Sequence, residues 1–216
     1  MPIELLIRGI IVGISLGAPV GPVNVEIVRR GLRGGFRSGW MVGIGATTAD
    51  AIYCMMIIAG LTPLIDQLIV RTILWTLGTG FLFFLGWSSI KPVIWPGRMI
   101  VDDDRAFERS SFTTGFLIAA LNPMGILFWL SVGGGLVASG VEQASDLVGI
   151  AAIVLGVIAG LVIWITTLST LVHGGRRFVS DHVYRWINFG SGLILIGFGI
   201  WFGVQAIQGI IELING

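Results

Sequence analysis

The residues best suited to bind a ligand lie in an interruption of the first apolar segment, between Gly17 and Asn24. Two prolines and two glycines in this interval prevent the backbone from pairing all its N–H and C=O groups within one continuous membrane helix. Unpaired backbone groups cost several kcal/mol each in hydrocarbon, so such an interruption is tolerated where it is buried in protein or lines a cavity. An interruption of this kind is also the best sequence indication of a transport site.

Gly21 and Pro22 place the start of a short helix inside this interruption. Pro22 suits the first position of a helix that continues over residues 23–30, because its missing N–H would be unpaired there in any case. The N–H groups at that helix end carry about half a positive charge and attract a carboxylate. The side-chain amide of Asn24 has two open interpretations: it binds the same ligand, or it bonds the loosened backbone of its own helix.

Asp50 is the central ionisable residue of the second apolar segment. It lies ~20 Å from the predicted cytoplasmic end of that segment at about 1.5 Å per residue, which is close to the middle of a membrane. Acidic residues inside membranes usually face a cavity, a substrate cation or a proton path. We therefore expect Asp50 to bind a substrate ammonium group or a coupling proton, with a structural aspartate that caps a broken helix as the alternative.

Glu26 follows the interruption and also has two interpretations. It precedes Arg30 by four residues, the favourable order for an ion pair in a helix, and it lies near a helix N-terminus, where an acid is stabilised. We favour a pair with the cytoplasmic arginines and retain Glu26, beside Asp50, as a candidate for ion coupling. Tyr53 and Trp164 are candidates for lining the same cavity, although aromatic residues in membrane helices are more often packing residues.

The composition places these residues in an integral membrane protein. Of the 216 residues, 55% are hydrophobic and 12% are charged, whereas a soluble domain carries about 25% charged residues. The mean hydropathy is +0.93. A net charge of +1 leaves no basic face for nucleic acid once the loops are assigned. The single cysteine, Cys54, excludes a disulfide framework within the chain and a thiolate zinc site, and we predict neither a metal site nor a cofactor.

Six apolar segments are long enough to span a membrane, since a span needs roughly 20 residues. They cover about residues 3–28, 36–61, 68–90, 112–138, 147–172 and 186–211. The loops after the first, third and fifth segments hold 11 of the 13 basic residues, and only Arg8 and Arg71 lie on the opposite side. The positive-inside rule makes these loops cytoplasmic and places both termini outside. The first segment has no basic n-region and no cleavage site, so we interpret it as a mature span.

Six spans divide into two halves of three, and an odd number of spans inverts the second half relative to the first. The first interruption has a counterpart at Asn122-Pro123 in the fourth segment, which opens the second half. The predicted fold is a single all-α transmembrane domain over residues 1–216. It contains one repeat over about 1–95, an inverted repeat over about 108–216 and a cytoplasmic loop over about 91–111.

Two patterns of small residues predict close helix contacts. Small residues recur every four positions from Gly39 and Gly43 along the second segment and predict packing against the first or fourth segment. Gly199 and Gly203 in the sixth segment predict a close contact either within the helix bundle or between protomers.

Several motifs together carry a resemblance to a known family. They are Gly21-Pro22-Val23-Asn24-Val25, Arg30-Gly31-Leu32, Gly39, Gly43, Asp50, Leu121-Asn122-Pro123 and Trp186-Ile187-Asn188. In this combination the whole chain resembles the LysE/RhtB-type amino-acid exporters. The resemblance implies a multi-pass exporter in a bacterial or archaeal plasma membrane, homodimeric and driven by an ion gradient. It implies substrate-binding roles for Gly21, Pro22, Asn24, Asp50, Asn122 and Pro123.

We therefore predict secondary active export of amino acids by alternating access, with lysine and arginine or small neutral amino acids as substrates and H⁺ as the coupling ion. The substrate carboxylate would meet the short helix at Pro22 and Asn24, with help from Asn122, and its ammonium group or a proton would meet Asp50. A heavy-metal cation exporter is the alternative within transport, although Cys54 with Asp50 is a thin set of ligands for it. An intramembrane enzyme would need a nucleophile with a base, and we do not expect one.

Overall fold

The computed structural model describes residues 2–19, 21–58, 67–95, 104–122, 125 and 147–215. Within these residues the chain is almost entirely helical and contains no strand, so the predicted all-α class is confirmed. The helices are α1 (Pro2–Gly17), α2 (Pro22–Ile58), α3 (Leu68–Ile94), α4 (Asp104–Ala120), α5 (Leu147–Gly175) and α6 (Asp181–Asn215), with a 3₁₀ turn at Arg176–Phe178.

Helix α2 consists of two arms that fold back on each other at Gly35. Gly35 has φ 77° and ψ −166°, a backbone conformation that is essentially restricted to glycine. A Cβ on Gly39 would lie 3.0 Å from the carbonyl oxygen of Ile27 and 3.2 Å from the Cα of Gly31. Residues 12 apart in a straight helix are separated by about 18 Å, so the first arm (residues 22–34) and the second arm (residues 36–58) form a hairpin.

Three helices of the described part of the chain are long and apolar enough to cross a membrane. They are Leu68–Ile94, Val148–Phe178 and His182–Asn215. A fourth candidate span exists if Ile3–Gly17 and Pro22–Met56 count as one broken span. More than half of the predicted fourth segment lies outside the described residues, namely residues 123, 124 and 126–138.

The stretch predicted as a loop over residues 91–111 is helical at both ends. Helix α3 continues to Ile94, and α4 already begins at Asp104. Residues 96–103, which include Asp102 and Asp103, lie outside the described residues.

Helices α1 and α5 pack with their backbones in contact. A Cβ added to Gly9 would meet the carbonyl oxygen of Ile153 and lie 2.9 Å from the Cα of Gly156. In return, a Cβ added to Gly156 would meet the carbonyl oxygen of Leu6. Glycine is therefore required on both helices for them to approach this closely.

Helix α4 packs in the same manner against the second arm of α2. A Cβ on Gly115 would meet the carbonyl oxygen of Val42, and a Cβ on Gly45 would meet the carbonyl oxygen of Phe112. A cluster of small buried residues continues this contact towards the end of α4; its members are Ala46, Ala49 and Ala119.

Helices α3 and α6 form the third close pair. A Cβ on Gly86 would lie 2.9 Å from the carbonyl oxygen of Gly192, and one on Gly192 would lie 2.8 Å from that of Gly86. Gly199 and Gly203 face side chains of α3, the first at 3.3 Å from Phe83. Of the two alternatives for these glycines, the structure therefore shows the contact within the bundle.

The small-residue stripe of the second arm has two partners, of which one was predicted. Gly39 contacts the first arm, which belongs to the predicted first segment. A Cβ on Gly43 would lie 2.6 Å from the side chain of Ile165 in α5, a helix that the sequence did not indicate as its neighbour.

The predicted cytoplasmic loops gather at one end of the helix bundle. The turn at Gly35 lies against the end of α5, where its Cβ position is 2.7 Å from Nη1 of Arg176. Arg185, near the start of α6, donates to the carbonyl oxygen of Val93 near the end of α3 at 3.0 Å.

Candidate functional site

The first helix break is held together by the side chain of Asn24. Helix α1 ends at Gly17, and α2 begins at Pro22. From the first turn of α2, Nδ2 of Asn24 donates to the carbonyl oxygens of Gly17 and Pro19, both at 2.7 Å. The last carbonyls of a helix lack partners within that helix, so this amide satisfies backbone acceptors that the break exposes. Asn24 thus bonds backbone that the break has loosened, which is the second of its two predicted roles.

Trp164 of α5 closes the other side of this arrangement. Its ring lies over Gly17, with Cδ1 at 2.8 Å from the position of an added Cβ, and its Nε1 donates to Oδ1 of Asn24 at 3.3 Å. The amide of Asn24 therefore uses both of its donors and one of its acceptor sites within the protein. The substrate-binding role of Asn24 stays a prediction.

The start of α2 has the geometry that the sequence predicts. The N–H of Val25 donates to the carbonyl oxygen of Gly21 at 3.1 Å, which makes Gly21 the cap and Pro22 the first residue of the helix. A Cβ added to Gly21 would meet no atom of the described residues within 4 Å. In the part of the chain that the structure describes, there is therefore open space directly beside the positive end of this helix.

The second helix break begins where α4 ends, at Ala120. The N–H of Asn122 donates to the carbonyl oxygen of Ala119 at 3.1 Å, a tightened final turn, and Tyr53 of α2 donates its hydroxyl to the carbonyl oxygen of Ala120. The helix thus stops before Pro123, which itself lies outside the described residues. The predicted interruption of the fourth segment coincides with a helix end.

Asp50 lies beside this second break. Its side chain is half-buried, and its Oδ1 is 3.9 Å from the position of a Cβ on Gly125, three residues after Asn122. Tyr53, one turn further along α2, also contacts the second break, through its bond to the carbonyl oxygen of Ala120. The carboxylate and the second break therefore share one location.

Val23 connects this location with the first break. It is the residue before Asn24, and it packs against the cluster of Ala46, Ala49 and Ala119. Ala49 precedes Asp50, and Ala119 lies in the last turn of α4. The side chain of Val23 therefore packs the start of α2 against the end of α4 and against the residue of α2 that precedes Asp50.

Glu26 is fully buried and forms two ion pairs. It accepts from Nε of Arg30 at 2.6 Å, the predicted partner, and from Nη2 of Arg29 at 2.6 Å, which the sequence analysis did not name. Arg30 extends the network to α4 by donating to three hydroxyl groups there, those of Ser110, Ser111 and Thr114, at 2.8–3.0 Å. The predicted ion pair with Arg30 is confirmed, and it links the first arm of α2 to α4.

Cys54 lies in an apolar environment. It is buried in a cluster with Leu5, Ile153, Val157 and Leu161. Among the described residues, no three His, Cys, Asp or Glu side chains are placed so that they could hold a metal ion.

The chain is similar to known proteins along almost its whole length. The profile of a family described as LysE type translocator matches residues 14–206. A Bacillus subtilis (strain 168) protein named "Putative amino acid efflux protein YcgF" is 32% identical over 205 residues, which cover 95% of this chain and 98% of that protein. A Pseudomonas aeruginosa protein named "Chemotactic transduction protein ChpE" is 28% identical over 198 residues, 90% of this chain and 95% of that protein. No solved structure matches the chain significantly.

Proposed function

Because the chain belongs to the LysE type translocator family, we propose that it is a secondary active exporter of amino acids that works by alternating access. The relative named for amino acid efflux supports this substrate class. The observation that carries the proposal is the packing of Val23, beside the first break, against the end of α4, where the half-buried carboxylate of Asp50 lies beside the second break. Broken helices that meet inside a bundle are the usual construction of transporter sites.

An amino acid has two opposite charges, and the site has a complement for each. The substrate carboxylate binds at the N-terminus of α2, where Gly21 leaves open space and Pro22 starts the helix. The substrate ammonium group binds at Asp50 beside the second break, and Asn122 and Pro123 complete the predicted set of substrate-binding residues. Lysine and arginine, or small neutral amino acids, are the substrates that we expect.

We propose that export is coupled to a proton, and that Asp50 rather than Glu26 carries this proton. A coupling acid must exchange its proton with water during the cycle, and Asp50 is half-buried. Glu26 is inaccessible and is held by two arginines, so its carboxylate serves the link between α2 and α4.

The close helix pairs support an inverted repeat of three helices. The contacts of α1 with α5 reappear between α4 and the second arm of α2. Each residue of α1 in these contacts corresponds to a residue of α4 at one constant offset in residue number. Each residue of the second arm of α2 corresponds to a residue of α5 at another constant offset. The corresponding pairs are Gly9–Ile153 and Gly115–Val42, and Leu6–Gly156 and Phe112–Gly45. Gly86 and Gly192 contact each other and are separated by the same offset in residue number as Gly9 and Gly115. They are therefore equivalent positions in the two halves, and exchanging the halves leaves this contact unchanged. An odd number of spans in each half gives the inverted orientation, and we expect both termini outside and a homodimer in a bacterial or archaeal plasma membrane.

The proposal is tested with purified protein in proteoliposomes. Counterflow of labelled amino acids is measured for the parent, for Asp50→Asn and for Glu212→Gln, which removes an exposed carboxylate at the end of α6. We expect saturable counterflow of at least one basic or small neutral amino acid, unchanged in E212Q and reduced at least about ten-fold in D50N. The ten-fold loss corresponds to about 1.4 kcal/mol of interaction.

Two outcomes contradict the proposal in different ways. Counterflow in D50N at the parent rate shows that Asp50 neither binds the substrate nor couples its export. Absence of counterflow for the whole amino-acid panel, with correctly folded and inserted parent protein, removes amino acids as the substrate class.

A further inference from the structure

Each helix break is hydrogen-bonded by an aromatic side chain from the opposite half of the chain. At the first break, Trp164 of α5 donates to Oδ1 of Asn24. At the second break, Tyr53 of α2 donates to the carbonyl oxygen of Ala120. We refer to the Trp164–Asn24 and Tyr53–Ala120 bonds as the two cross-half bonds.

The two aromatic residues occupy corresponding positions. The offset in residue number between Tyr53 and Trp164 is the same as the offset between Gly45 and Gly156 in the close helix contacts. Position 53 in the second arm of α2 and position 164 in α5 are therefore equivalent positions along the two corresponding helices. The two corresponding residues each donate a hydrogen bond to a helix break, although the residue types and the acceptors differ.

The chemistry of the two bonds is matched to the breaks that they serve. Each ring fills apolar space while a single N–H or O–H reaches a polar group that a broken helix exposes. Tyr53 satisfies a terminal backbone carbonyl directly. Trp164 acts through Asn24, whose amide in turn satisfies the carbonyls of Gly17 and Pro19. Each bond therefore joins one half of the protein to the break in the other half.

We propose that Tyr53 and Trp164 are corresponding positioning residues whose cross-half bonds set the balance between the inward-facing and outward-facing states. This inference rests on the proposed inverted repeat. In such a repeat, the two states are related by an exchange of the conformations of the two halves. Loss of the bond at the first break in the inward-facing state then has the same effect as loss of the bond at the second break in the outward-facing state. Removing the two donors separately shifts the balance in opposite directions.

The test uses a reporter cysteine and requires no substrate. The background variant carries Cys54→Ala and Gly21→Cys, since a side chain at position 21 has open space around it. A membrane-impermeant maleimide is added to one side of oriented vesicles, and the labelling rate is measured with Tyr53→Phe or Trp164→Phe added. We expect one variant to raise and the other to lower the rate by about two- to ten-fold, the range for one net hydrogen bond.

A matched control separates this effect from a general loss of packing. Trp40 of α2 donates to Oγ1 of Thr166 in α5 at 3.0 Å, a bond that involves no residue of either break. Trp40→Phe removes a bond of the same kind between two helices, and we expect it to leave the labelling rate within about two-fold of the background variant. The thermal midpoint of each variant is recorded to verify folding.

The outcomes distinguish this inference from the proposed function. Rate shifts in the same direction for Y53F and W164F, or shifts no larger than that of W40F, overturn it. If reporter labelling cannot be measured because the background variant misfolds, substrate affinity and maximal counterflow are compared in Y53F and W164F with native Cys54. The inference then requires a loss of maximal rate at least about five-fold larger than the change in affinity. Opposite labelling shifts without any amino-acid counterflow support the inference while contradicting amino acids as substrates.

Discussion

Two glutamate–arginine pairs in this chain have the same spacing and order but different surroundings. Glu26 and Arg30 are 2.6 Å apart, and their side chains are 0% and 9% exposed. Glu4 and Arg8 are 2.7 Å apart, and their side chains are 57% and 64% exposed. The substitution Glu26→Gln, with Glu4→Gln as its control, therefore compares a buried carboxylate that pairs with two arginines with an exposed one that pairs with Arg8.

The expected magnitude follows from the partners of Glu26. Gln retains the shape of the side chain but removes the carboxylate that pairs with both Arg29 and Arg30. The hydroxyl partners of Arg30 keep its N–H groups bonded but do not neutralise its charge. Breaking a buried ion pair from one side costs about 3–5 kcal/mol, whereas an exposed pair contributes about 0–1 kcal/mol. We expect E26Q to lose at least about 2 kcal/mol more stability than E4Q.

The measurement is the free energy of unfolding in detergent micelles, at low and at high salt. Salt screens exposed charges and leaves buried pairs largely unaffected, so only the small effect of E4Q is expected to disappear. The double variant Glu26→Gln/Arg29→Gln restores the net charge of the cluster, and we expect it to be more stable than E26Q alone. If E26Q and E4Q differ by less than about 1 kcal/mol, the argument from burial is wrong.

Three further predictions concern the backbone and the first break. Gly35→Ala places a side chain at φ 77° and is expected to destabilise the protein by about 1–3 kcal/mol, measured by the same unfolding assay. Gly115→Leu drives a side chain into a backbone carbonyl and is expected to abolish the monodisperse peak in size-exclusion chromatography, whereas Gly190→Leu, which points into open space, leaves it intact. Asn24→Leu removes the partner of two carbonyls and is expected to cost about 1–3 kcal/mol for each one left unsatisfied; a stability equal to that of the parent would show that water replaces the amide.

Local features of the site were predictable because they depend on neighbouring residues. A glycine and a proline at positions 21 and 22 specify a helix start, and the structure has α2 begin at Pro22. Asn122-Pro123 specifies a helix end, and α4 ends at Ala120. The spacing of Glu26 and Arg30 specifies an ion pair within one helix, which the structure contains.

Contacts between helices were less predictable because no local pattern specifies them. Tyr53 and Trp164 were candidates for lining a cavity, and nothing in their immediate sequence indicated that they bond the breaks. The hydroxyl groups of α4 that receive Arg30 belong to a distant part of the sequence. A signal did exist in the constant offsets between corresponding glycines, but it becomes visible only when the helix contacts identify which glycines correspond.

Under the proposed repeat, the two prolines do not correspond residue by residue. The offset that relates Gly9 of α1 to Gly115 of α4 pairs Pro123 with Gly17, the last residue of α1, rather than with Pro22. The two helix ends do not correspond residue by residue either, because the same offset pairs Ala120, the last residue of α4, with Ile14 of α1. This divergence allows the first break to start a helix at Pro22 while the second adjoins the carboxylate of Asp50.

This divergence gives the proposed site its polarity. The offset that relates Tyr53 to Trp164 also pairs Asp50 with Leu161, a buried apolar residue of α5. Packing is thus repeated in both halves, whereas the negative charge of Asp50 has no counterpart at position 161. Alternating access requires two halves that can exchange conformations, and this depends on the repeated packing.

Recognition of an amino acid requires that its two charged ends bind differently, and this depends on the residues that are not repeated. A carboxylate at position 161, introduced as Leu161→Asp, would therefore oppose binding of the substrate carboxylate at the first break while leaving the helix contacts of Gly156 unchanged. We expect L161D that remains monodisperse to show weaker substrate affinity in the counterflow assay, with Leu161→Asn as the uncharged control for the loss of the apolar side chain. Equal affinities in the two variants would show that charge at this position does not reach the substrate, and that the polarity of the site does not depend on the asymmetry between Asp50 and Leu161.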